Sequence, residues 1–263
     1  EKLTPQKINN CDVMACMNPT AGSFVVDTRF QRQFATFSCQ QPPAASLQTM
    51  YGSILQGHLS QGFEDECAAL WSNVASAGAD LQSMVANNFL PSAVKFHYLF
   101  NLRDISNVFG GMLRSHSSYI SSPIVLVQLF MHEAFRVYKD RLITDADMRR
   151  FDEMFMDCAK KHFSGVEDFA KIIEPMIEDP FAHPNIFTSF CTATADDSAP
   201  YLPIKGWEQL QKMLELKLGE YNDTNAVMNL VLFFDAMDHV ARCVRIIEQP
   251  RGNALLVGVG GSG

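Results

Sequence analysis

Residues Asn253 to Gly263 read N-A-L-L-V-G-V-G-G-S-G, a short apolar run from Ala254 to Val257 that passes directly into Gly258, Val259, Gly260, Gly261, Ser262 and Gly263. Glycines at this density after a strand pattern serve a backbone that must close around phosphate oxygens, because side chains would block the approach of the N–H groups. Gly258 to Gly263 supplies the first part of the Walker A form G-x-x-x-x-G-K-[ST], and the spacing predicts a lysine directly after Gly263. The same six residues also satisfy G-x-G-x-x-G, the dinucleotide fingerprint, whose deciding acidic residue stands about 20 positions further on. A glycine-serine tail is in addition the composition of a flexible linker. The loop by itself leaves these three readings open.

Composition bears on partners. Of 263 residues, 47% are hydrophobic and 19% charged, enough to bury a substantial core in more than one domain. The net charge of -8 argues against a nucleic-acid surface, which needs clustered Lys and Arg to neutralise phosphates. Seven cysteines, Cys11, Cys16, Cys39, Cys67, Cys158, Cys191 and Cys243, are odd in number and never spaced C-x-x-C. Buried free thiols in a reducing, intracellular compartment fit that pattern better than disulfides or zinc. The longest apolar run, Pro123 to Met131, is too short to span a bilayer, so no membrane partner is expected. The opening Glu-Lys-Leu-Thr-Pro has no signal-peptide core, and both ends suggest a piece of a longer chain.

Periodicity divides the chain into regions. Asp12 to Met17 and Phe34 to Cys39 read as short strands, with an arginine-bearing helical turn from Asp27 to Gln33 between them. From Pro42 to Ser164 the spacing turns helical over Ala45 to Leu59, Glu64 to Asn87, Ser92 to Leu113, Pro123 to Leu142 and Asp145 to His162. Ser46, Ser92 and Thr144-Asp145 offer N-caps. Phe163 to Pro203, with five prolines, reads as a loop-rich connection. Helical patterns over Gly206 to Tyr221 and Asn225 to Glu248 then lead through Pro250-Arg251-Gly252 to the strand and glycine loop. The fold class expected is α/β with a mainly helical portion.

Several stretches together resemble the axonemal dynein heavy chains: Asn18-Pro19-Thr20 after an apolar strand, K-F-H-Y-L-F-N-L-R-D from Lys95 to Asp104, M-H-E-A-F-R-V-Y-K-D-R from Met131 to Arg141, and Tyr221-Asn222 through the glycine loop. The resemblance covers almost the whole chain and implies tandem AAA+ modules. Residues 1–41 would end the large subdomain of the third module, residues 42–164 would form its helical small subdomain or lid, residues 165–203 would link, and residues 204–263 would begin the fourth module. On this resemblance the glycine loop is a Walker A loop. Asn18 then matches the polar sensor-one residue beside the γ-phosphate, where an amide can both donate and accept. Taken alone it is an Asn-Pro turn. Arg32 stands where an arginine finger would reach the preceding module's nucleotide, with Arg29 a weaker candidate; the alternative is a solvated arginine on a short helix.

Arg103 matches sensor two, on the lid helix facing the phosphates, against the alternative of an Arg103-Asp104 surface helix end. Met228 to Met237 lies where the family lines the adenine pocket, with Leu230 and Val231 as wall residues, or else it is an ordinary amphipathic helix face. Phe234 stands where many relatives carry an acidic residue. His132, Glu133, Arg136 and Asp140 read as ion pairs and hydrogen bonds within the lid rather than a metal site, because H-E-x-x-H would need a second histidine where Arg136 stands. No metal ligand is assigned in this chain.

The resemblance implies ATP or ADP as cofactor, with Mg2+ in complete modules, and an ATP-driven microtubule motor of cilia and flagella. Partners would be the neighbouring AAA+ modules and, through other parts of the parent, microtubules and intermediate and light chains. The 263 residues contain no complete G-x-x-x-x-G-K-[ST], so the isolated chain is expected to show no ATPase turnover. A rival expectation is a nucleotide-gated structural coupler that binds nucleotide and rarely hydrolyses it.

Overall fold

A computed structural model of the chain describes residues 7, 9–17, 26–191 and 200–258. The chain divides into two units, residues 1–41 and residues 42–263. Among the described residues of the first unit, helix α1 (Thr28–Gln31) is the regular element, and Asp27 caps it by accepting a hydrogen bond from the Arg29 N–H at 2.9 Å. The strands expected over Asp12 to Met17 and Phe34 to Cys39 are corrected: both stretches are irregular and solvent-exposed. A strand closes its backbone hydrogen bonds only on a neighbour, and no such neighbour lies beside them among the described residues.

In the second unit, α2 (Ala44–Leu59), α3 (Asp65–Ala69), α4 (Trp71–Asn88), α5 (Leu102–Met112), α6 (Pro123–Val137), α7 (Asp145–Phe163) and α8 (Phe169–Glu178) enclose one apolar core. Leu55, Leu81, Val85, Ile105, Phe130, Phe151, Phe155, Phe163 and Ile173 are fully buried in it. Three- and four-residue spacing turns these side chains to one face of each helix. Thr144 caps α7 as expected, its hydroxyl accepting from the Asp147 N–H at 3.3 Å, and Pro123 opens α6 where its missing N–H costs nothing. The Ser46 cap is corrected: α2 begins at Ala44, behind Pro43.

Three further boundaries depart from the periodicity. Glu64 to Asn87 is two helices, α3 and α4, with Leu70 between them. Ser92 to Leu113 is helical only from Leu102. The stretch before it bonds to tertiary partners instead: Lys95 pairs with Asp147, Tyr98 donates to Asp147 at 2.8 Å, and the Tyr98 hydroxyl accepts from the Ile143 N–H at 3.0 Å. Ser92 is therefore no helix cap, although its hydroxyl accepts from the Lys95 N–H at 3.1 Å. Within the expected loop from Phe163 to Pro203, α8 places Phe169, Ile173 and Ile177 against the same apolar core despite Pro175.

Beyond α8 a two-residue antiparallel pair, β1 (Phe187–Thr188) with β2 (Leu202–Pro203), sets Phe187 opposite Pro203. Helices α9 (Trp207–Thr224) and α10 (Phe234–Glu248) follow and enclose a smaller core of Ile186, Cys191, Ile204, Leu210, Met237 and Ala241. The long helix expected from Asn225 starts only at Phe234. Residues 226–233 are irregular, pinned where the Asn222 amide donates to the Met228 carbonyl at 3.1 Å and accepts from its N–H at 2.8 Å. Ala254 to Val257, expected as a strand, is irregular, unpaired among the described residues and exposed. All seven cysteines are free; Cys67, Cys158 and Cys191 are buried, while Cys11, Cys16 and Cys39 are exposed, contrary to the expectation of burial throughout. Burial pushes the Cys158 thiol up to about 12. Among the described residues no helix is long and apolar enough to cross a membrane.

Candidate nucleotide-binding site

Arg103 occupies the first turn of α5, with its side chain exposed. A capping box forms that helix start: Asn101 accepts from the Arg103 N–H at 2.8 Å, and Asp104 accepts from the Asn101 N–H at 2.7 Å. An arginine in the first turn opposes the helix dipole, which favours anions there, so Arg103 adds nothing to helix stability. The Arg103-Asp104 surface helix end considered from sequence holds for Arg103, which is exposed, and not for Asp104. Asp104 is buried and bonds Arg141 at 2.8 Å, leaving the Arg103 guanidinium without a hydrogen bond or ion pair among the described residues. A solvent-facing cation at a helix start, free of a local carboxylate, can receive an anionic ligand.

The remaining candidate residues are distributed as follows. Arg32 is exposed at the C-cap of α1, beside an edge-to-face pair of Phe30 and Phe34 at 5.1 Å. Asn18 lies outside the described residues, as do Val259, Gly260, Gly261, Ser262 and Gly263; Gly258 is described and exposed. Leu230 and Val231, on the irregular stretch before α10, are 53% and 81% exposed and thus available as apolar wall. The amphipathic-helix alternative for Met228 to Met237 therefore holds only from Phe234 onward. Phe234 meets Phe181 edge-on at 4.5 Å and Trp207 at 5.4 Å, while the Trp207 indole donates to the Phe181 carbonyl at 2.8 Å. Its ring ties the starts of α9 and α10 to the turn after α8, a structural use for the departure from an acidic residue.

The approach to the glycine loop is set by the turn after α10. Arg251 adopts φ 60, and the Gly252 N–H donates to the Gln249 carbonyl at 2.8 Å. A Cβ on Gly252 would meet the Ile246 carbonyl oxygen at 1.6 Å, so only glycine lets the chain leave the helix here.

The largest polar feature is one that sequence reading places wrongly. Glu133 on α6 is fully buried, and its partner is Arg245 on α10, 112 residues away. Tyr201 donates to the same carboxylate at 2.7 Å, and Arg114 lies 4.0 Å from the Tyr201 ring while pairing with Glu248. Arg136 pairs with Asp140 on its own side at 3.3 Å and with Asp238 of α10 at 3.2 Å. Arg242 reaches Asp140 at 3.5 Å. The expectation of pairing within residues 42–164 thus holds for Arg136 with Asp140 and is corrected for Glu133, whose partner Arg245 lies on α10, while Arg136 and Asp140 also reach α10. Burial disfavours the Arg245 charge, yet the Glu133 carboxylate outweighs it and the guanidinium pKa is raised. His132 donates from Nδ1 to the Asn185 carbonyl at 3.0 Å; burial first, then the charges of Arg136 and Arg245, hold its pKa well below 6.5. The pattern at 133, 136 and 140 signals charge pairing, but nothing in it names a partner 112 residues on.

Among the described residues no group of three His, Cys, Asp or Glu could hold a metal ion, so these residues do not by themselves fit Mg2+. For a nucleotide they offer an exposed guanidinium, an apolar wall and the entry to a glycine loop.

Seven helices around one core, followed by a helix that leads toward a glycine-rich sequence, fit the lid and the following segment of an AAA+ protein. Residues 74–173 match the family model described as AAA+ lid domain, residues 228–263 that of the P-loop containing dynein motor region D4, and residues 1–42 that of the P-loop containing dynein motor region. A ciliary dynein beta chain of Heliocidaris crassispina is 48% identical over the whole of this chain, a flagellar outer arm dynein beta chain of Chlamydomonas reinhardtii 46%, and dynein axonemal heavy chain 17 of Homo sapiens 43%. The chain belongs to the axonemal dynein heavy chains. It spans 6% of the length of each of these relatives.

Proposed function

We propose that the chain forms part of the AAA+ motor ring of an axonemal dynein heavy chain, an ATP-driven microtubule motor of cilia and flagella. Residues 1–41 end the large subdomain of the third module, 42–164 form its lid, 165–203 connect, and 204–263 begin the fourth. The observation that carries this reading is that the dynein P-loop regions and the AAA+ lid match in one order along a chain 48% identical to a ciliary dynein over its full length.

In this reading Arg103 binds the phosphates of the third module's ATP or ADP from the lid, so that nucleotide occupancy biases the lid angle. Asn18 holds the attacking water beside the γ-phosphate, and Arg32 reaches toward the preceding module's nucleotide. The backbone of Gly258 to Gly263 cradles phosphate in the fourth module, with Leu230 and Val231 against the base. Mg2+ belongs to the complete modules and would be held by residues other than those described here. The chain's partners are the neighbouring modules, with microtubules and the intermediate and light chains engaged through other parts of the parent.

The test is Arg103→Ala in the full heavy chain. Nucleotide affinity is expected to fall about tenfold to a hundredfold, the worth of one charge-assisted hydrogen bond, with the melting temperature without nucleotide unchanged. Earlier melting with unaltered affinity would overturn the sensor reading.

A second reading is favoured by the buried Glu133–Arg245 pair, which joins the lid to the helix before the glycine loop. Here the segment is a coupler that binds nucleotide, rarely hydrolyses it and relays lid movement onward. Steady-state ATP turnover that survives Arg103→Ala while motility is lost distinguishes it.

A further inference from the structure

Arg141 makes more bonds around the start of α5 than any residue of that helix needs for its own stability. Its Nη1 donates to Asp104 at 2.8 Å, and its Nη2 donates to the carbonyls of His97 at 3.0 Å and Leu99 at 2.9 Å. The guanidinium lies 4.5 Å from the centre of the Phe100 ring, and the Arg141 carbonyl meets His97 Nε2 at 3.0 Å. Four of these five contacts fix the segment from His97 to Phe100 that enters the helix bearing Arg103, and the fifth holds Asp104 on that helix. The planar fork is what allows one side chain to bond a carboxylate and two carbonyls together.

The arrangement also settles which cation Asp104 serves. One carboxylate oxygen takes the Asn101 N–H and the other takes Arg141. With both engaged, the neighbouring carboxylate is neutralised and does not compete for the Arg103 guanidinium, which stays exposed. Arg141 comes from the turn after α6, so the lid's second half sets the pose of an arginine in its first half.

We propose that Arg141 is the positioning residue for Arg103, holding its helix start in register and its guanidinium unpaired for a polyphosphate. This rests on the reading of Arg103 as the lid's phosphate contact.

The experiment is a double-mutant cycle in the full heavy chain, read by titration with a fluorescently labelled ADP and by thermal melting. Arg141→Lys keeps the charge and loses the fork, and is expected to weaken ADP binding about three- to tenfold. In an Arg103→Ala background the same change is expected to weaken it no further. An Arg141→Lys effect that persists undiminished in that background overturns the positioning role, because a merely structural residue acts independently of Arg103. Unchanged affinity in Arg141→Lys, alongside weakening in Arg103→Ala, overturns the positioning role and leaves the sensor reading intact. Unchanged affinity in Arg103→Ala removes the sensor reading and this inference with it. Should Arg141→Lys fold poorly, Asp104→Asn breaks the ion pair from the other side and is read through the same cycle.

Discussion

The lid and the stretches flanking α10 are both rich in apolar residues, yet they differ in what they can complete alone. In the lid, Phe130, Phe151, Phe155 and Phe163 are sealed among helices that satisfy their own backbones. Around α10, Val231, Leu255 and Val257 are 81%, 89% and 86% exposed on irregular chain with no ladder partner among the described residues. A helix closes its hydrogen bonds within four residues, whereas a strand depends on a neighbour that can lie anywhere in the chain. The lid's helices thus close their own backbone hydrogen bonds, whereas the apolar entry to the glycine loop stays exposed.

The sharpest way to break this contrast is to cut what joins the two regions. Glu133→Ala strands Arg245 as a buried unpaired charge and is expected to destabilise the second unit by about 3–5 kcal/mol. Urea unfolding followed at Trp207 and by far-ultraviolet dichroism should then show the α9–α10 region melting before the lid; a single transition of unchanged midpoint would mean the pair does not hold them together.

A smaller effect comes from pH. Because the folded His132 pKa is depressed, the unfolded chain takes up the proton first as pH falls below 6.5, and stability drops there instead of rising. The expected slope is at most about 1.4 kcal/mol per pH unit for this one group as pH falls below 6.5. His58, also held down chiefly by burial, contributes in the same direction. His132→Gln should remove part of the slope; melting curves with the same pH dependence as the parent would exclude His132 as its source.

The smallest change is expected where apolar surface is already wet. Leu255→Ser in this chain should alter stability by no more than about 0.5 kcal/mol, since the side chain buries almost nothing. A larger loss in a chemical-denaturation series would show that this segment packs in solution, and the contrast with the lid would weaken.

Legibility in the sequence follows the same division. Helices α6 and α7 begin at Pro123 and at Asp145 behind Thr144, where local signals mark them, because proline and threonine act on their immediate backbone. Helix α8 is masked by Pro175, whose cost is outweighed by burial of Phe169, Ile173 and Ile177. The stretch before Leu102 has helical spacing but finds better partners in Asp147, Ile143 and Arg141, which are remote in sequence. At the candidate site, Arg103 is visible as an arginine on a lid helix through the length of its motif. Its brace at Arg141 and the Glu133–Arg245 pair are not, since charge pairing between distant residues leaves no periodic trace.

One contact on α5 gives that helix a mechanical character. A Cβ on Gly111 would meet the Glu133 carboxylate at 1.8 Å, so the far end of the helix bears directly on the buried charge pair. Eight residues separate Gly111 from Arg103, about 12 Å along the axis at the usual rise. Taken as a rigid arm with its fulcrum at the glycine, the helix would carry its arginine end about 1 Å for a tilt of about 5°, enough to make or break a hydrogen bond. A bulkier residue at the fulcrum would shift the whole arm, and a change at the junction with α10 would be felt as motion at a guanidinium two turns away.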